Sequence, residues 1–183
     1  QNLLDKWIYE NKKAGVRFVS IFDNEYPALL KEIYEPPVGI YVTGNLPDEN
    51  DICVSIIGAR RCSEYGAQTA YFLSKEAAAQ GYTIVSGLAR GIDSMSHNGA
   101  IAANGKTIAV LGFGHNICYP AENRGLMDKI RENGCIISEY PPDTKPVDYM
   151  FRQRNRIIAG LSKGIIVVEA ARKSGTLSTV DFA

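Results

Sequence analysis

From residue 52 onward the chain alternates, with little interruption, between short apolar runs and longer amphipathic ones. "ICVSIIG" (52–58), "YTIVSG" (82–87), "KTIAVLG" (106–112), "CIISEY" (135–140) and "KGIIVVEA" (163–170) are β-branched runs of strand length. Between them lie segments with helical spacing. "SEYGAQTAYFLSKEAAAQG" (63–81) has a Ser cap, apolar Ala70, Leu73 and Ala77, and a Gly stop. "IDSMSHNGAIAANG" (92–105), "ENRGLMDKIRENG" (122–134) and "DYMFRQRNRIIAGLS" (148–162) follow, and "GTLSTVDFA" (175–183) opens another helix. Strands apolar on both faces and separated by helices need a parallel sheet covered on both sides. The fold class expected is therefore α/β, a doubly wound, mostly parallel sheet. Residues 1–50 break the pattern. "VRFVSIFDNEYPALLKEIYEPPVGIYVTGN" mixes aromatics and prolines and reads as a strand, a turn and a second strand, a lead-in that adds edge structure to the sheet. The expected organisation is thus a lead-in over 1–50 and a main domain over 51–183, with no repeat or linker.

In doubly wound sheets ligands collect outside the carboxyl ends of the strands. The loops at that edge are "GARRCSEYG" (58–66), "SGLARGID" (86–93), "GFGHNICYPAEN" (112–123) and "EAARKSGTL" (169–177). All are rich in Gly and Ser and lead toward helix N-termini, where backbone N–H groups and the helix dipole suit anions. "GFGHNI" is not a dinucleotide fingerprint, since Ile117 stands where a third Gly would be, and no bound cofactor is expected.

The other singular stretch is "FRQRNRIIAGLS" (151–162), with Arg152, Arg154 and Arg156 at alternate positions ahead of an apolar run. With 20 Lys and Arg against 20 Asp and Glu the chain is formally neutral, so a basic site must be local. Between 145 and 163 five basic residues, Lys145, Arg152, Arg154, Arg156 and Lys163, face one acid, Asp148. On a helix 152 and 156 share a face and 154 points elsewhere. One of the three is expected to hold an internal salt bridge, with Glu139 or Glu169. The four cysteines form no C-x-x-C pair and only two histidines are present, so no metal site is expected and a reducing compartment fits. No run has the length of a membrane-spanning helix and no signal peptide is visible. A start at Gln1 and a stop at Ala183 within a helical pattern read as part of a longer chain.

Taken in order, "IIGARRCSEYG", "IVSGLARGIDSMSHNGAI", "GKTIAVLGFGHNICYPAEN", "IISEYPPDTKP", "FRQRNRIIAGLS" and "VVEAARKSGTLST" closely resemble the DNA-processing protein A (DprA, or Smf) family, over about residues 15 to 183. The resemblance implies an extended Rossmann-like fold in a bacterial cytoplasmic protein that binds single-stranded DNA. It further implies a homodimer that helps load the recombinase RecA in natural transformation, with no cofactor and no enzymatic step. The site it implies comprises Gly58, Arg60, Ser86, Gly87, Gly91, Phe151, Arg152, Arg154, Asn155, Arg156, Lys173, Ser174, Gly175 and Thr176. Arg60 matches the family's phosphate-holding Arg. Phe151 either stacks a base or is a core aromatic; Asn155 bonds a base or caps backbone; 173–176 form a phosphate cradle, with Ser174 an N-cap in any case. The chain departs from the family in Arg152 where Pro is usual, in Ala59 where a hydroxyl residue is usual, and in Asp181.

Two rivals share the fold. A phosphoribohydrolase would carry P-G-G-x-G-T-x-x-E; only Gly175 and Thr176 match, and Asp181 is five residues past Thr176. Asp93 and His97, four apart on one helix, could mimic an acid–base pair, or Asp93 satisfies local N–H groups and His97 packs. A mononucleotide sensor would use the same loops without DNA.

On the DNA-binding reading Arg60, the 152–156 arginines and the 173–176 cradle contact four to five phosphates and release three to four counterions. The slope of log K against log salt is then roughly −2 to −3, and Arg156→Ala should flatten it by about 0.7. A salt titration on oligo-dT measures both.

Overall fold

The computed structural model describes residues 15–171, 175–180 and 182. The strands are β1 (Arg17–Ser20), β2 (Gly39–Gly44), β3 (Cys53–Ile57), β4 (Thr83–Ser86), β5 (Thr107–Leu111), β6 (Cys135–Ser138) and β7 (Gly164–Val167). The helices are α1 (Ala28–Lys31), α2 (Glu64–Ala79), α3 (Ile92–Ala102), α4 (Arg124–Asn133), α5 (Asp148–Gly160) and α6 (Leu177–Val180), with a 3-10 turn at Ala121–Asn123. One seven-stranded sheet runs β1-β2-β6-β5-β4-β3-β7 among the described residues. From β6 to β7 it is parallel; β2 pairs antiparallel with β6, and β1 with β2. This is the mostly parallel α/β sheet that the alternation predicts, and the lead-in supplies its antiparallel edge.

Period-2 burial sorts the strands between two layers. Ile56, Ile84, Ala109, Leu111 and Ile136 point to one face and meet Ala78, Ala100, Met127 and Ile130 of α2, α3 and α4. Ile57, Val85, Ile108, Val110 and Ile137 point to the other and meet Ile157, Ile158 and Leu161 at the end of α5. Residues of β4, β5 and β6 are buried throughout, whereas β7, at the edge, is half-exposed. Several elements stop short of their sequence-predicted ends. β6 ends at Ser138 rather than 140 because Glu139 turns to an ion pair described below, and α3 ends at Ala102 because Asn104 adopts φ +52° before Gly105.

The chain steps β3→β4→β5→β6 in one direction and then crosses back beyond β3 to β7. The order therefore reverses at β3 and β7, and a crevice opens there outside the carboxyl ends of the strands. No helix among the described residues is long and apolar enough to cross a membrane.

Helices α2 and α3 touch through small residues: Ala70, Ser74 and Ala78 on one, Gly99 and Ala100 on the other. A Cβ at Gly99 would strike the Tyr71 carbonyl oxygen and stand 3.0 Å from the Ser74 Cβ and 3.1 Å from the Lys75 nitrogen, none of which can yield cheaply. Gly99→Ala should therefore lose about 1–3 kcal/mol to overpacking, outweighing the ~1 kcal/mol by which Ala favours a helix over Gly. Urea denaturation should show a lower midpoint at unchanged m-value.

Candidate nucleic-acid interface

The crevice at the sheet reversal is a cleft of about 590 Å³. The loop after β3 (Gly58, Ala59, Arg60, Arg61), the loop after β4 (Ala89), Asp93 of α3, and Asp148, Phe151, Arg152, Arg154 and Asn155 of α5 line it, with Ala171, Gly175 and Thr176 beyond β7.

The three alternate arginines have three different fates. Arg154 is 4% exposed. Its Nη1 donates to the Gly87 carbonyl at 2.8 Å and to the Val110 carbonyl, and its Nε donates to Asn155 Oδ1 at 3.2 Å. Asn155 in turn donates from Nδ2 to the Gly175 carbonyl at 3.1 Å. Burial pulls the Arg154 guanidinium down to about 10, opposed by the charge of Asp93. Arg156 forks onto Glu139, at 2.7 and 3.0 Å, and donates from Nε to the Glu35 carbonyl at 2.9 Å. Arg152 is exposed on the cleft wall. Of the two carboxylates offered for an internal salt bridge, Glu139 takes it. The sequence expectation was that Arg154 and Arg156 hold DNA phosphates; in the fold, Arg154 Nε and Nη1 and the three Arg156 nitrogens donate to carbonyls, an amide oxygen and a carboxylate of the protein.

The anion sites expected at helix N-termini are likewise filled from within. Glu169 accepts from the Ser63 N–H (3.0 Å) and the Ser63 hydroxyl (2.7 Å), while Ser63 caps α2 by accepting from Gly66 N–H at 3.0 Å. Asp93 accepts from the N–H groups of Gly87 (3.2 Å) and Ala89 (3.4 Å) ahead of α3. Burial raises the Asp93 carboxyl, opposed by Arg154 and these N–H groups.

Several sequence-predicted contacts are structural for the same reason. Ser86 is fully buried and donates to the Ile56 carbonyl at 2.8 Å. Thr176 Oγ1 donates to the Gly58 carbonyl at 3.1 Å. A Cβ at Gly87 would enter the Arg154 guanidinium, one at Gly58 would stand 2.5 Å from Ile92, and Gly91, at φ +74°, lies under the Ala59 and Arg60 carbonyls. These glycines let protein groups approach, where ligand approach was expected. Lys173 and Ser174 lie outside the described residues, so half of the expected cradle has no geometry to report.

What remains for a ligand is a rim of exposed guanidiniums. Arg60, Arg61 and Arg152 are exposed, and among the described residues none has a carboxylate partner. Arg60 is held: its guanidinium carbon sits 5.2 Å from the centre of the Phe151 ring. Such a cation–π contact is worth ~0.5–1 kcal/mol at the surface. Phe151 is itself seated on Phe113 and Tyr119, with ring centres 6.3 and 5.6 Å away. The site expected from sequence does not include Arg61 or Asp148, which line the cleft, or Tyr119, which packs beside Phe151. An aromatic inside "GFGHNICYPAEN" was the signal available for Tyr119.

The Asp93–His97 pair forms no acid–base dyad. Thr107 Oγ1 donates to the Ile84 carbonyl (2.9 Å), so His97 Nδ1 donates to Thr107 at 2.7 Å, and Nε2 is a buried acceptor with no partner among the described residues. Burial, then the charge of Arg154, pushes His97 down to about 3. His115 packs between the Thr43 hydroxyl and the Tyr41 carbonyl, each 3.1 Å away. Burial, opposed by the Tyr41 bond and aided by Arg131, brings it to about 4.

Comparison with known proteins supplies an independent line. The family model for DNA recombination-mediator protein A matches residues 17–183. The DNA processing protein DprA of Bacillus subtilis is 42% identical over 169 residues, covering 92% of this chain and 57% of the relative. The solved structure of DNA processing protein A from Streptococcus pneumoniae superposes with a TM-score of 0.85 at 40% identity, over 94% of this chain and 62% of that one. DNA processing protein A from Helicobacter pylori, solved for its single-stranded DNA binding mode, superposes at 0.80 with 31% identity, over 91% and 76%. The chain spans a little over half the length of the Bacillus relative.

Two stability experiments follow. Arg154→Met leaves Asp93 buried without its counter-charge and two carbonyls without a donor, and should lose on the order of 3–5 kcal/mol. Arg156→Ala should lose about 1 kcal/mol, since its pair is partly solvated, and Arg152→Ala almost nothing. Urea unfolding gives the order. The histidines set an acid limit: the unfolded chain takes up protons near pH 6.5 and the fold does not. Stability is thus complete above about 6.5 and falls as pH drops toward 4, by up to ~1.4 kcal/mol per unit for each histidine. Replacing His97 with Met should remove about half of that slope.

Proposed function

The chain belongs to the DNA recombination-mediator protein A family, and on that premise we propose that its cleft binds single-stranded DNA along the sugar-phosphate backbone. One observation carries the reading. Three arginines, Arg60, Arg61 and Arg152, stand exposed around a cleft at the strand ends without a carboxylate partner among the described residues, while the neighbouring cations are neutralised. A formally neutral protein has no general attraction for DNA, so these guanidiniums are its means of holding phosphate. Arg60 leads, because Phe151 holds its guanidinium and less freedom is lost on binding. Phe151 acts here chiefly as that support.

The proposed activity is binding, with no cofactor and no catalytic step; the engagement of Asp93 by backbone amides and the burial of His97 support this. By the family's pattern we further infer a cytoplasmic homodimer that protects incoming single strands and hands them to a RecA-type recombinase in transformation. The likeness to the Bacillus and Streptococcus proteins supports that wider role.

Fluorescence anisotropy with oligo-dT tests the core of the proposal: affinity should exceed that for a blunt duplex of equal length and vary little with base composition. Equal or tighter duplex binding, or capture of AMP in preference to the oligonucleotide, would sink it. Arg60→Ala should weaken binding by about 10- to 150-fold, the loss of a charge-assisted phosphate contact of ~1.5–3 kcal/mol, and Arg61→Ala by less. With three free guanidiniums the slope of log K against log salt should be about −2. Arg156→Ala should leave that slope unchanged, the reverse of the expectation from sequence, because Glu139 already neutralises it.

A further inference from the structure

Around Phe151 the aromatic side chains differ sharply in what they leave free. Phe113 is 1% exposed and serves as the floor. Phe151 is half-buried: Arg60 covers its face, Phe113 and Tyr119 flank it, and Gly112 lies so close that a Cβ there would stand 3.0 Å from its ring. Tyr119 is 46% exposed, and its ring is pinned on Phe113 at 6.4 Å and on Phe151 at 5.6 Å, one ring beyond the cleft. It thus offers a free aromatic surface already immobilised from below, and a stacking base loses little extra freedom there.

We infer that Tyr119 is a base-stacking platform on which the single strand, held by Arg60 at the cleft, lays a base as it leaves. The inference rests on the single-strand reading above and extends it to a second contact of different chemistry. The charge beside Tyr119 supports it. Arg90 forks onto Glu122 at 2.7 and 2.8 Å, and is raised above the ordinary arginine value by that hydrogen bond and charge, with a smaller contribution from the Tyr119 phenol. The cation next to Tyr119 is therefore already answered, and the ring rather than a phosphate contact holds the strand there.

This assigns two separable signatures, charge at Arg60 and stacking at Tyr119. In the full chain, Tyr119→Ala should lower oligo-dT affinity by about 5- to 150-fold, the range for one base stack, without changing the salt slope. Tyr119→Leu, which fills the same space on Phe113 and Phe151 without a π face, should lose as much, and Tyr119→Phe should keep most of the affinity. Tyr119→Trp, made with Trp7→Phe to remove the only native tryptophan, adds a direct probe: its indole should be quenched saturably by oligo-dT at the concentration that saturates anisotropy. Wild-type binding with unchanged affinity in Tyr119→Leu, or an unquenched indole, overturns the role of Tyr119 and leaves the cleft reading standing. Failure of the wild type to bind overturns the cleft reading, and the inference with it.

Discussion

The site is organised around one buried cation. Arg154 reaches from α5 on one face of the sheet to the Gly87 carbonyl after β4 and the Val110 carbonyl within β5, and its guanidinium is coupled to Asp93 of α3 on the other face. A buried guanidinium is costly unless each donor finds an acceptor. Supplying those acceptors fixes the start of the loop after β4, and Asn155 carries the tie on to Gly175. Gly87 has no side chain because the guanidinium occupies that space. The cleft thus has a rigid floor, against which exposed arginines are displayed.

Self-neutralisation is the second theme. Glu169 satisfies the entry of α2, Asp93 that of α3, Glu139 takes Arg156 and Glu122 takes Arg90. Each interaction removes a charge or a set of amides that would otherwise compete for phosphate. Among the described residues that line the cleft, the exposed cations without a carboxylate partner are Arg60, Arg61 and Arg152. In a protein with no net charge this internal pairing concentrates attraction at one place, and the local field there exceeds what the total charge suggests.

Legibility in the sequence follows the range of each interaction. The capping of α2 by Ser63 and the end of α3 near Asn104-Gly105 were readable, because caps and left-handed stops are decided within a few residues. So was the edge of the sheet at which the cleft opens, since it depends on strand order and strand order on the alternation. The glycines expected in the site also make room for protein groups that the sequence does not name: Gly87 admits Arg154 and Gly58 admits Ile92. Nothing in "SGLARGID" names a side chain 67 residues away.

By itself the sequence determined the layered α/β sheet, because period-2 and period-3.6 burial are written residue by residue and every apolar position must find the core. It also determined that basic residues would gather near α5. Only the tertiary structure decided which of them are available. Arg152, Arg154 and Arg156 are chemically identical and alternate on one helix, yet their partners come from Gly87, Val110, Glu139 and Glu35, up to 121 residues away. A guanidinium's role is set by whether an acceptor lies within hydrogen-bond reach, and that is a property of the folded chain.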